Sequence, residues 1–129
     1  MALALLILMF FPVSHPQDCR VQLPETLHWT GKVVKKNHQG LVTITKQDNA
    51  SYLISDFSAG LFQHMGFDTD NPMVMSIDCE NKVAGGSFDT RFGQCVITGG
   101  SWDPENKRLV IDWKIPANQV DETTVFSIP

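Results

Sequence analysis

The chain has no apolar run long enough to span a bilayer. The longest, residues 1–13, falls well short of the about 20 residues that a membrane helix needs. It has no CxxC or HxxxH pair, so any metal site would have to be assembled by the fold from isolated residues. It has no GxSxG run, the strand-to-helix turn that presents a serine nucleophile. Positive charge is scarce: ten Lys and Arg stand against fourteen Asp and Glu, for a net charge of -4. That balance excludes a general attraction to nucleic acid, whose phosphates need clustered cations. The one basic cluster, Lys32, Lys35 and Lys36, would divide between the two faces of a strand and reads as a solvated edge. Nothing in the spacing calls for a cofactor.

What is present is β pattern. The most informative stretch is GGSWDPENKRLVIDWKI at residues 99–115. Asp-Pro-Glu-Asn is turn chemistry: proline presets φ, and the Asp103 side chain can bond the backbone just beyond. After it Leu109, Ile111, Trp113 and Ile115 alternate with Val110, Asp112 and Lys114, the period of a half-buried strand. The same alternation marks strands near 28–33, 41–46, 52–57, 73–79, 82–88, 94–98 and 123–128, the fifth weakened by Gly85 and Gly86. One segment breaks it. In SAGLFQHMG, 58–66, Leu61, Phe62 and Met65 fall at helical spacing between Ser58, an N-cap residue, and Gly66, a stop. A helix this short cannot stand alone, so it is expected to plug the end of a curled sheet. With every other connection short, neighbours pair antiparallel. The expected fold is all-β: an antiparallel meander of about eight strands, closed as a small barrel or sandwich, with one short helical plug.

Residues 1–16 have the apolar core of a secretory leader, without a basic residue ahead of it and without a standard cleavage site. Residues 17–27 follow as an extended lead-in whose Leu23 and Leu27 can tuck onto the domain, and 28–129 form a single β domain. The expected location is secreted, periplasmic or at the cell surface, with no integral membrane span. An exported chain meets an oxidising compartment, so its three cysteines imply one disulfide and one leftover thiol. Cys79 and Cys95, both on inward faces at strand ends, are the expected pair.

The candidate sites each carry two readings. Trp29, Tyr52, Met73, Met75 and Trp113 would line a pocket for an apolar molecule if the barrel were hollow, or else they fill its core. Trp102, beside a glycine pair in a turn, is either an exposed anchor for a protein or glycan partner or a lid folded onto the core. Asp68 and Asp70, with Asn71, match the opening of a calcium loop, but its later glycine and glutamate are absent, which favours a solvated turn. His28, His38 and His64 are scattered along the chain, with no partner residues at catalytic spacing.

The succession YLISDFSAGLF, SIDC, GGSWDPENKRLVIDWK and TTVF resembles the small extracellular β-domains of Bacteroidetes secreted and surface proteins. The resemblance covers most of 33–126 and implies a lipocalin-like or sandwich-like domain at or outside the cell surface, without assigned chemistry. The function expected is a non-catalytic binding or structural module. A lipocalin-like carrier of a small apolar ligand comes second, and a hydrolytic enzyme third.

Overall fold

The computed structural model describes residues 21–67 and 71–129. The leader at 1–16, Cys19, and the pair Asp68 and Asp70 lie outside the described residues. Ten strand segments follow one another: β1 (Trp29–Val33), β2 (His38–Val42), β3 (Ile44–Lys46), β4 (Ser51–Ile54), β5 (Met73–Ile77), β6 (Val83–Gly85), β7 (Ser87–Thr90), β8 (Gly93–Asp103), β9 (Arg108–Ile115) and β10 (Val120–Ser127). A single helical turn, α1 (Leu61–His64), lies between β4 and β5.

The strands form a six-stranded sheet in the order β2-β1-β10-β9-β8-β7 and a four-stranded sheet in the order β3-β4-β5-β6. All pairings between these strands are antiparallel. Both margins of the two sheets are shared. β2 and β3 are one run of chain bent at Thr43, whose N–H donates to Ser55 Oγ at 3.0 Å and whose carbonyl accepts from Ser55 N–H at 2.9 Å. β6 and β7 are another run, bent at Gly86, whose carbonyl accepts from Ile97 N–H at 3.4 Å. A bridge between Lys82 and Ser101 joins the second margin further. Counted by continuous chain, eight strands run round a closed ring, the number expected from the alternating pattern. Closure leaves no long open edge to template further pairing.

Alternation sends one face of each strand inward. Trp29 and Val33 of β1, the four alternating residues Leu109, Ile111, Trp113 and Ile115 of β9, and Phe126 of β10 are buried in one core. Burying a large apolar side chain contributes about 1.5–3 kcal/mol each before the entropy of ordering is set against it. The turn after β8 forms as expected: Asp103 Oδ1 accepts from the N–H groups of Glu105 and Asn106 at 3.0 and 3.2 Å.

The plug closes the end of the barrel at which β1 and β4 finish, called here the upper end. Its entry lies against β1 and β2, where Gly31 and Gly40 face each other across the ladder. A Cβ on Gly40 would stand 2.1 Å from the Ala59 carbonyl oxygen, so only glycine lets this backbone approach. Leu61 and Phe62 are buried, as the helical spacing predicts. Met65 is not: with only one turn formed, it falls at the helix end and is 51% exposed. Ser58 is not the N-cap residue, a place taken by Gly60, although its hydroxyl accepts from Phe62 N–H at 3.4 Å. The lower end is reached by residues 21–28, where Leu23 is buried and Leu27 exposed.

The expected Cys79–Cys95 disulfide is not formed. Cys95 is a free thiol with no exposed surface, and Cys79 is in a disulfide that does not involve it. The reason is topological. Cys79 follows β5 in one sheet, Cys95 sits in β8 of the other opposite Phe88 of β7, and the β6–β7 chain stands between them.

Candidate functional site

The residues that sequence reading placed around a pocket converge, but as packing. Trp29, Tyr52, Met73, Met75 and Trp113 are all at most 3% exposed and belong to the single core cluster. Trp102 joins them. It is buried and meets Trp29 edge-on, with ring centroids 6.0 Å apart. A register shift in β8 between Ile97 and Gly99 explains its direction. Cys95 and Ile97 point inward on odd positions, and the bulge moves the inward face to even ones, so Trp102 turns into the core instead of out to a partner. Gly100, at φ 146°, follows this bulge, paired with Ile111 at a place where a Cβ would meet the Val110 carbonyl at 2.2 Å.

The two deep tryptophans differ in their polar tips. Trp113 Nε1–H donates to Thr124 Oγ1 at 2.9 Å, and that hydroxyl donates on to the Phe57 carbonyl at 2.9 Å. Trp113, β10 and the start of the plug are thereby locked together. Around them Phe57 and Trp113 stand 4.7 Å apart, Phe62 and Phe92 5.1 Å, and Phe67 and Phe92 4.7 Å, all near perpendicular. Trp29 Nε1–H, equally buried, has no acceptor among the described residues. A buried donor left unpaired costs about 1–3 kcal/mol.

At the lower end the lead-in is held by Tyr52, whose hydroxyl accepts from Leu23 N–H at 3.2 Å and donates to the Val21 carbonyl at 3.4 Å. Between 22–26 and the β3–β4 hairpin lies a cleft of about 350 Å³, lined among others by Glu25, Ile44, Lys46 and Tyr52. It is a surface feature, separated from the aromatic interior by Leu23 and Tyr52.

Titratable groups are dispersed. Among the described residues no three of His, Cys, Asp and Glu gather as metal ligands. Burial pushes the Cys95 thiol up to about 12, so it is protonated and unreactive at neutral pH. Glu122 is buried, but its Oε1 is occupied by the N–H groups of Lys35 at 2.9 Å and Thr123 at 3.1 Å, a cap on the turn after β1. Asp56 accepts from Ser58 N–H, Ser58 Oγ–H and Gly60 N–H at 2.7–3.0 Å, and so shapes the plug's entry. Sequence spacing missed one pair: His38 of β2 and His64 of α1 stand with ring centroids 5.2 Å apart. Twenty-six residues separate them, and no local motif announces the meeting. His28 stands at the opposite end of the β1–β2 hairpin from His38, across which Trp29 pairs with Val42 and Val33 with His38.

No protein-family model matches this chain, and no curated protein or solved structure matches it either. Among the described residues no helix is long and apolar enough to cross a membrane.

Proposed function

We propose that the chain is a non-catalytic binding or structural module that works outside the cytoplasm, either secreted, in the periplasm or at the cell surface. The observation that supports this reading best is the placement of its six candidate ligand residues, Trp102 included, in one packed core stoppered at the upper end by the plug. Such a core serves stability, and recognition of a protein or glycan then falls to the loops and outer faces. The resemblance to extracellular Bacteroidetes β-domains points the same way, as does a disulfide at Cys79.

One observation favours the second reading, a lipocalin-like carrier: the unpaired Trp29 indole N–H would suit the polar tip of a small apolar molecule admitted past the lead-in. A single preparation of exported protein tests both. An environment-sensitive apolar dye titrated against tryptophan fluorescence should show no saturable binding, and saturation reversed by extracted lipid would replace the module with the carrier. The same material mapped without reductant should give Cys79 in a disulfide and Cys95 alkylated once unfolded. A Cys79–Cys95 peptide would remove the support that the disulfide lends.

A further inference from the structure

Among the described residues, the His38 and His64 pair is the one cluster of metal-ligating side chains that neither the core nor the turns account for. The two residues come from different elements, the β2 strand and the plug, and meet on the outside of the upper end. His38 is half-buried and His64 exposed. The Nε2 side of the His38 ring faces the plug: a Cβ built on Gly60 would lie 3.6 Å from it, in open contact rather than collision. His64 follows one helical turn later, its N–H donating to the Gly60 carbonyl at 2.9 Å. The two rings are tilted by 33°.

The spacing is that of a chelate. Metal–nitrogen bonds of about 2.0–2.1 Å, extended by about 1.1 Å to each ring centre and opened to a tetrahedral angle, put two imidazoles on one cation about 5.2 Å apart. His38 and His64 stand at 5.2 Å. We propose that His38 and His64 form a two-histidine site for a borderline divalent cation, Zn²⁺, Ni²⁺ or Cu²⁺, with water completing its coordination. Imidazole suits these ions and not Mg²⁺ or Ca²⁺, which require oxygen ligands. Bound there, the cation ties the plug to the β1–β2 hairpin, and because it binds the folded state only, it raises the unfolding midpoint in proportion to its occupancy.

The test is calorimetric titration of the full chain with the metal alone, ZnCl₂ or NiCl₂, alongside thermal unfolding with and without metal. The wild type should show one saturable step and a midpoint that rises with metal. His38→Gln and His64→Gln should each abolish both effects or weaken binding at least about tenfold, while His28→Gln should leave both intact. Because His64 is exposed, its variant is expected to fold, and circular dichroism without metal checks this for each protein. The site is refuted if the wild type shows no saturable uptake, if either pair variant binds as the wild type does, or if His28→Gln loses binding to the same extent.

Discussion

The two ends of the barrel are closed by different physics. The upper end is closed by a folded piece of chain whose aromatic side chains meet those of the barrel: Phe57, Phe62 and Phe67 interlock edge to face with Phe92 of the β7–β8 turn and Trp113 of β9, and the Thr124 hydroxyl satisfies the groups buried with them. At the lower end the tight turns are pinned by aspartates. Asp48 accepts from Ala50 and Ser51 N–H, Asp78 from Glu80 and Lys82 N–H, and Asp103 from Glu105 and Asn106 N–H. The stopper there is an extended segment with a single buried leucine, and the tryptophan beneath it has no acceptor for its N–H among the described residues. Asp56 and Glu122 also bond backbone N–H groups at the upper end, but there the buried aromatic cluster is the main tie, whereas the lower turns rest on hydrogen bonds to exposed carboxylates. Each end should fail under a different stress.

The largest effect is expected at the upper end. Phe62→Ala removes a buried ring from the centre of the aromatic cluster and should cost about 3–5 kcal/mol, the usual range for such a truncation. Chemical denaturation reads it directly. A midpoint equal to that of the wild type would mean that the plug is an appendage and that the contrast between the ends is only geometric.

A middle-sized effect separates the two tryptophans. Trp113→Phe and Trp29→Phe remove the same atoms from equally buried positions. The first strips Thr124 of its donor, whereas the second also relieves an unpaired donor. The asymmetry between made and unmade buried hydrogen bonds is about 1–3 kcal/mol, so Trp113→Phe should be the more destabilising by that amount. Equal losses in paired denaturation curves would show that Trp29 Nε1–H is as well satisfied as Trp113 Nε1–H.

These differences show what was legible in the sequence. Eight strands, the Asp103 turn and a plug built on Leu61 and Phe62 follow from local rules, because alternation, turn chemistry and helical spacing act over a few residues. The bends at Thr43 and Gly86, which turn two sheets into one ring, depend on which strands become neighbours. So does the error at Cys79 and Cys95: Cys95 is buried in β8 as expected, but Cys79 lies exposed in the turn after β5 instead of facing inward at its end, and β5 and β8 lie in different sheets. Trp102 was ambiguous because one extra residue, Thr98 between Ile97 and Gly99, reverses inward and outward. Its glycine pair was the available signal, visible as a turn and not as a bulge. The His38–His64 meeting had no signal at all, since it exists only once the plug has docked.

The smallest expected effect tests the lower end by acid. Hydrogen bonds hold all three aspartates below the ordinary carboxylate value: chiefly the backbone N–H of Ala50 for Asp48 and of Lys82 for Asp78, and the side chain of Asn106 for Asp103. A carboxylate whose pKa is lower folded than unfolded stabilises the fold above the unfolded value of about 3.9, and that stabilisation is lost as pH falls through the folded value. Stability measured by denaturation should therefore decline below about pH 4. All three groups are solvent-exposed, so each loss is screened and small. Asparagine keeps the accepting oxygen but cannot titrate, so a combined Asp48→Asn, Asp78→Asn and Asp103→Asn variant should show a shallower acid limb than the wild type while retaining its turns at neutral pH. Phe62→Ala should instead lower the whole curve without changing that slope, because no charge is lost at the upper end. If the triple variant and the wild type share one acid limb, the lower turns are not what acid attacks, and the division between a buried end and a charged end does not hold.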